Sequence, residues 1–325
     1  MQFKKTTYLS IVSLTLILFV LIYILKSFNS ELGLNNKILT INSGDNLKTI
    51  SSNLEKIGAT RHTLLVNIYM RISGKETEIK TGEYLLKPDM NLLRILHDIS
   101  LGNNYYRDIR IKESSTFKEL IAELRNSKGL VDDLGSNPEA FLSEFLAPFS
   151  LEGVFAPETY FYKYGDTYSN LLKRAFDRQN LIVDKYWELR SMGLPYESKS
   201  DLLILASIVE KEGEEKELIA GVFLRRLLMG MKLQTDPTVI YAMGNNYHGN
   251  ITKKDLRMQH PYNTYFIKGL PPGPISYPSQ SSIQAASILN DEEYLYFVSK
   301  GDGTHYFSKS YEEHLKAVKK YQLGQ

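Results

Sequence analysis

Leu202-Leu-Ile-Leu-Ala-Ser-Ile-Val-Glu-Lys-Glu-Gly213 is an apolar run that ends abruptly in carboxylates. Leu202 to Val209, broken only by Ser207, predicts a buried helix, and Gly213 supplies its stop signal. A carboxyl at the rim of an apolar wall is poorly solvated, so its charged form is disfavoured and its pKa should rise. A raised pKa lets a carboxyl carry a proton at neutral pH, as a general acid must. The ordinary alternative is a core helix whose polar end meets solvent. Glu210 shares a helical face with Leu203, Ala206 and Ser207, whereas Glu212 shares one with Leu205, Ile208 and Val209. Either could be the buried acid, and periodicity does not choose between them.

Outward from this helix, the chain of 325 residues has room for about two domains. Its 43% apolar and 23% charged residues are those of a globular protein, and a net charge of +2 gives no reason to expect nucleic acid as a partner. Cysteine is absent, which excludes disulfides and thiol chemistry without locating the protein.

Residues 8–25 carry no charge, and at about 1.5 Å per residue they nearly span a hydrocarbon core. Lys4 and Lys5 precede the run and Lys26 follows it, so the bias toward a cytoplasmic amino terminus is small. The run exceeds a usual signal-peptide core, and Lys26-Ser-Phe-Asn29 lacks a small-x-small cleavage site. The expected order is a cytoplasmic tail (1–7), a transmembrane helix (8–25), a linker (26–36) and an ectodomain outside the cytoplasmic membrane.

Within the ectodomain, residues 37–109 read as a mixed segment. A strand is expected at Lys37–Ile41 and a helix with Leu47, Ile50, Leu54 and Ile57 on one face. A second helix at 62–72, a returning strand at Gly82–Leu86 and a helix from Leu92 to Ile99 complete it. The start Ser43-Gly-Asp-Asn-Leu47, between strand and helix, resembles a LysM glycan-binding module, a weak signal whose alternative is a generic strand-turn-helix. Leu47, Lys48, Ile50 and Leu54 are echoed 70 residues later by Phe117, Lys118, Leu120 and Leu124. Residues 110–325 are helical first: Leu171–Met192 with the only tryptophan, Trp187, then Leu202–Glu212 and Glu217–Met229. Irregular chain rich in Pro and Gly runs through 261–279. Tyr294–Val298 and Thr304–Phe307 flank Gly301-Asp-Gly303 as a hairpin, and Tyr311–Tyr321 closes as a helix. The class is α+β.

The six histidines are scattered without metal-ligand spacing, and neither a Gly-x-Ser-x-Gly elbow nor a phosphate-cradling loop occurs. No metal or cofactor is expected. What remains is carboxylate chemistry beside 22 tyrosines, whose rings and hydroxyls suit sugar stacking and bonding as well as core filling.

Several segments together resemble the endolytic murein transglycosylase (YceG-like) family. They are Leu205-Ala-Ser-Ile-Val-Glu-Lys-Glu212, Gly230-Met-Lys-Leu-Gln-Thr-Asp-Pro-Thr-Val-Ile-Tyr241, Pro261-Tyr-Asn-Thr-Tyr265 and Gly269-Leu-Pro-Pro-Gly-Pro-Ile275. Tyr294–Val298 with His305-Tyr-Phe307, and Glu152-Gly-Val-Phe-Ala-Pro-Glu-Thr-Tyr160, add to these. The order is the family's, and the chain departs from it at Asn290-Asp291 and at Pro278-Ser279. The resemblance implies a LysM-like membrane-proximal subdomain (37–109) and a YceG-like catalytic domain (110–325) with a lysozyme-like cleft. It implies cleavage between MurNAc and GlcNAc within peptidoglycan strands to leave anhydroMurNAc ends, with termination of nascent strands as the expected role.

The family's catalytic glutamate, read as the first of Val-Glu-Lys-Glu, falls on Glu210, with Glu212 the second choice and Glu158 a distant third. Gln234, Asp236, Tyr241, Asn263, Tyr265 and Glu212 are candidate substrate ligands, with loop stapling and core packing as their ordinary alternatives. For Asp236, which precedes Pro237, that alternative is a helix N-cap. Gly269–Ile275, stiffened by three prolines, is a candidate cleft wall. The expected partners are peptidoglycan glycan strands and the cytoplasmic membrane through 8–25, with peptidoglycan synthases (penicillin-binding proteins) as further candidates. The rival readings are a hydrolytic muramidase using Glu210 with a second acid such as Asp236, and a non-catalytic glycan-binding scaffold.

Overall fold

The computed structural model describes residues 2–146 and 150–323. The chain divides into two units, one of the residues up to Arg107 with Tyr162–Gly165, the other of Asp108–Phe161 with Asp166 onward.

The first unit begins with α1 (Gln2–Asn29), a helix of 28 residues. Its part Ile11–Asn29 is long and apolar enough to cross a membrane, and 6% of that stretch is buried. The helix continues past the expected limit at residue 25, because Lys26, Ser27 and Phe28 keep helical geometry. There follow β1 (Lys37–Ile41), α2 (Leu47–Lys56), α3 (Thr63–Ile72), β2 (Gly82–Leu86) and α4 (Leu92–Leu101). The two strands pair antiparallel, Lys37 opposite Leu86 and Ile41 opposite Gly82. Leu39 and Ile41 alternate inward from β1 and join Leu47, Ile50 and Leu54 of α2, Val66 and Met70 of α3, and Ile95 and Leu96 of α4. Asn46 starts α2 by accepting the Thr49 amide at 2.9 Å, and Asn91 does the same for Arg94 at the start of α4.

Strand β3 (Tyr106–Arg110) pairs with β4 (Thr159–Lys163), and between them lie α5 (Phe117–Asn126) and α6 (Pro138–Phe145). The echoed positions fall on two amphipathic helices, a likeness that such helices share without common origin. α2 and α5 each have 10 residues, and Leu47, Ile50 and Leu54 are buried as Phe117, Leu120 and Leu124 are.

The second unit is organised by α7 (Tyr168–Glu188), α8 (Lys199–Glu212) and α9 (Lys216–Leu228). Helix α7 stops short of the predicted Met192, because the Ser191 amide leaves the helix to donate to the Ser287 carbonyl at 2.9 Å. Every residue of α8 from Leu202 to Glu210 is buried, as an all-apolar helix requires. α10 (Asp236–Met243), α11 (Gln280–Ala286), strands β5 (Tyr296–Ser299) and β6 (His305–Ser308), and α12 (Tyr311–Tyr321) complete the unit. β5 and β6 form the expected hairpin, with Tyr296 opposite Ser308 and Ser299 opposite His305.

Ser207, the one polar break in the apolar run, has a definite task. Its hydroxyl accepts the Ile275 amide at 3.0 Å, and its carbonyl accepts the Ser276 hydroxyl at 3.1 Å. The proline-rich chain is thereby fastened along α8, and Pro271 and Gly273 to Ser279 are buried. The expectation that Gly269–Ile275 walls a cleft is corrected in this respect: most of the stretch is interior packing. Pro274 lies so close to Gly153 that a Cβ there would approach it to 2.7 Å.

Candidate active site

Residues two apart on a helix point about 200° away from each other, so Glu210 and Glu212 enter different surroundings. Glu210 faces α11. Its Oε2 accepts the Ser279 amide at 2.9 Å, the Ser279 hydroxyl at 2.5 Å and the Ser282 hydroxyl at 2.7 Å. Lys216 Nζ stands 3.2 Å away and also donates to Ser279 and Ser281. Burial raises the pKa of Glu210, but these donors and the lysine outweigh it, and the pKa falls below the ordinary glutamate value. The sequence-based expectation of a raised pKa is therefore corrected for this residue. Poor solvation was read correctly, and the donors brought from 69 to 72 residues away reverse its effect.

Glu212 has the property that the sequence analysis sought. Desolvation by the surrounding protein, reinforced by the charge of Asp236, raises its pKa to about 7, against the lowering effects of Thr235 and Arg226. Its Oε1 accepts the Thr235 hydroxyl. Glu212 is one of the residues lining a cleft of about 500 Å³, together with Gln234, Asp236, Tyr265, Tyr296, His305 and His314. Tyr265 donates its hydroxyl to Asp236 Oδ1 at 2.7 Å. Arg226, under the Tyr296 ring at 5.2 Å, is fixed by the carbonyls of Leu233 and Leu295, each at 2.7 Å.

The irregular stretch leading into α10 is held at several points. Gln234 is a non-glycine residue with φ of 50°, in the left-handed region that side chains seldom adopt. Its amide donates to the Thr264 carbonyl at 3.3 Å, and the Thr235 amide donates to the Thr264 hydroxyl at 3.0 Å. Thr264 and Thr238 hydroxyls lie 2.8 Å apart, completing a buried polar clamp. Asp236 is the first residue of α10, with Thr235 at the cap position, so the N-cap alternative for Asp236 does not hold and its carboxylate is free to take Tyr265.

The structure thus gathers Glu212, Gln234, Asp236 and Tyr265 at one cleft and leaves the other candidates elsewhere. Asn263 is fully buried, and its amide donates to the loop carbonyls of Asp255, Leu256 and Met258 while its oxygen accepts the Tyr265 amide. These bonds match the loop-stapling alternative for Asn263. Tyr241 donates to Glu152 at 3.4 Å and stacks on Tyr262 with ring centroids 4.9 Å apart. Glu158 is an exposed partner of Arg178 at 2.9 Å. Glu152, which the sequence analysis did not single out as a site residue, is also raised to about 7, chiefly by burial. It accepts the Phe117 amide at 2.9 Å and the Tyr241 hydroxyl. The only signal for it was its place at the head of the Glu152–Tyr160 motif. Thr235, Arg226 and the serines around Glu210 had no separate signal.

Comparison with known proteins follows the same outline. The YceG-like family model matches residues 39–320. The endolytic murein transglycosylase of Bacillus subtilis (strain 168) is 31% identical over 308 residues, covering 87% of this chain and 84% of that protein. The endolytic murein transglycosylase of Streptococcus pneumoniae serotype 2 (strain D39) is 27% identical over 337 residues, and the match spans 91% of this chain but 60% of the longer pneumococcal protein. A crystal structure of a YceG-like protein from Listeria monocytogenes superposes with a TM-score of 0.53 at 28% identity, covering 87% of this chain and 100% of that one.

Proposed function

This chain belongs to the YceG-like family, and on that premise we propose that it is a peptidoglycan lytic transglycosylase, a carbon–oxygen lyase, with Glu212 as its acid and base. The observation that carries the choice of residue is the Glu212 carboxyl, held near pKa 7 at the wall of the cleft. Glu210, to which the family resemblance points, has its pKa lowered by the donors on its Oε2 and by Lys216, which favours its charged form and makes it the poorer proton donor of the two.

In the proposed reaction, protonated Glu212 donates to the glycosidic oxygen as the bond between MurNAc and GlcNAc breaks. The developing positive charge on the MurNAc anomeric carbon is met by the sugar's own C6 hydroxyl. The Glu212 carboxylate takes the proton of that hydroxyl as the new C–O bond forms, which regenerates the acid. No water is consumed, and the strand ends in 1,6-anhydroMurNAc. One carboxyl suffices because the nucleophile belongs to the substrate, whereas a hydrolase needs a second carboxyl for water or for a glycosyl-enzyme. Thr235 orients Glu212, and the pair Asp236–Tyr265 lies ready to bond sugar hydroxyls.

Asp236 in the same cleft favours a second reading, hydrolysis with Asp236 activating water. Mass spectrometry of digested sacculi separates the two. Anhydro ends from the wild-type protein and none from Glu212→Gln are expected, with Glu210→Gln still producing them. Reducing ends would overturn the lytic reading, and full activity of Glu212→Gln would overturn the choice of residue.

The setting is also part of the proposal. Residues 8–25 anchor the chain once through the cytoplasmic membrane, with the residues that follow the anchor on the extracytoplasmic side. The Ser43–Leu47 start, lying between β1 and α2, supports a LysM-like role in binding glycan. An anchored enzyme reaches strands near the membrane, which favours nascent glycan and a place beside the peptidoglycan synthases.

A further inference from the structure

Helix α3 buries one side and leaves the other uncovered. Val66 and Met70 point into the first unit's core, whereas Leu64, Ile68 and Ile72 are 69%, 44% and 83% exposed. These three recur every fourth residue and so form one apolar stripe. Arg61 and Arg71 are exposed beside it, Arg71 reaching Glu76 at 3.4 Å on the surface.

Two contacts fix where this stripe lies. The Tyr23 hydroxyl is 2.9 Å from His62 Nε2, and the rings of Phe28 and Tyr69 are 5.5 Å apart. The start of α3 at His62 and its ring at Tyr69 therefore meet the end of α1 at Tyr23 and Phe28. Tyr23 belongs to the apolar stretch of α1, whose side chains from Ile11 to Leu25 are largely exposed. Tyrosine favours the headgroup level of a bilayer, where its ring and hydroxyl are both accommodated.

We propose that α3 is a second membrane contact. Leu64 and Ile68 enter the boundary between headgroups and acyl chains beside the anchor, Ile72 lies at its outer edge, and Arg61 and Arg71 meet anionic headgroups. This rests on the reading of α1 as a membrane anchor. Three apolar side chains with two arginines make a weak lipid-binding surface by themselves. Joined to an anchored helix, the same surface is already held at the bilayer, so its binding is intramolecular and a small patch is enough. The consequence is that the first unit is held at the lipid surface instead of swinging on a free tether.

The absence of cysteine allows a direct test. Ile17→Cys, Leu64→Cys, Ile72→Cys and Glu55→Cys are each made in the full chain, labelled with an environment-sensitive fluorophore, and reconstituted into phosphatidylethanolamine–phosphatidylglycerol vesicles. Some of the lipids carry a nitroxide near the headgroup end of the acyl chain. Strong quenching is expected at position 64, weaker quenching at 72, and none at 55, which is exposed on α2. Quenching at 17 with position 64 behaving like 55 overturns the inference and leaves the anchor standing. A label at 17 that is quenched neither by this nitroxide nor by one placed near the terminal methyl of the acyl chain overturns the anchor reading and this inference with it. A label at 64 that is shielded from aqueous iodide but untouched by the lipid nitroxide also overturns it, in favour of a second copy covering the stripe.

Discussion

Thr235 donates its hydroxyl hydrogen to Glu212 Oε1, and Thr235 is itself held by the hydroxyl of Thr264 at its amide. The bond favours the charged form of Glu212, while desolvation and Asp236 favour the neutral form. The proton affinity of the proposed acid is thus a balance with separable contributors.

That balance predicts opposite shifts in the pH–rate profile. Loss of the protonated acid should give kcat/KM a high-pH limb near 7. Thr235→Val removes a lowering influence and should move this limb upward, and Asp236→Asn removes a raising one and should move it downward, each by about one unit or less. Kinetics on uncrosslinked glycan strands across pH measures both. A limb that stays fixed in both variants would remove Glu212 from the acid's role.

Glu212→Gln should lose about 10²–10⁴ in rate while gaining stability at alkaline pH. The folded pKa of Glu212 is about 7 against an ordinary value of 4.5, so the folded protein binds more protons between these values. Wild-type stability therefore falls as pH rises through that window. With partial solvent screening the loss is on the order of 2 kcal/mol. Thermal unfolding at pH 8 and at pH 4 checks it: the variant should exceed wild type at the former only.

Glu210→Gln should show the reverse pattern. The folded pKa of Glu210 lies below 4.5, so its contribution is present above that pH and disappears as pH falls through the folded value. At neutral pH the substitution leaves Lys216 without its carboxylate and disturbs the bonds from Ser279 and Ser282, at a cost of about 2–4 kcal/mol. Urea denaturation should show this deficit at pH 7 and a shrinking one below pH 4.5, with the rate of the folded variant reduced by about tenfold at most.

Gly153→Ala tests the packing of the proline-rich segment. Gly153 has φ of +77°, and an added Cβ would meet Pro274 at 2.7 and 2.8 Å, a rigid ring that does not yield easily. Left-handed strain and overpacking together should cost about 2–3 kcal/mol. A melting temperature within a degree or so of wild type would show that the segment gives way more readily than its prolines suggest.

Helices and strands with strong periodicity were legible in the chain itself: β1, β2, α3, α8, α9 and α12 lie within a few residues of their expected bounds. The active-site cleft was half legible. Local pattern announced a desolvated carboxyl at the end of α8, but the choice between Glu210 and Glu212 depends on what each one meets. The serines that ionise Glu210 come from the start of α11, and the threonine and aspartate beside Glu212 come from the start of α10. Neither helix carries a long apolar period, and only the Asp236-Pro237 pair signalled a helix start for α10. For Asn263 the sequence left sugar contact and loop stapling both open, since a polar side chain in a loop looks the same whether it faces ligand or its own backbone carbonyls.

The cleft also has an order of assembly in time. Its lining begins with Glu212 at the end of α8 and includes Tyr296, His305 and His314 from β5, β6 and α12, about a hundred residues later in the chain. Synthesis delivers the glutamate early and the enclosing aromatic wall late. A chain still emerging from the ribosome therefore carries the proposed acid without a cleft around it, and on the proposed reading the capacity to cut glycan arrives only as the last elements fold.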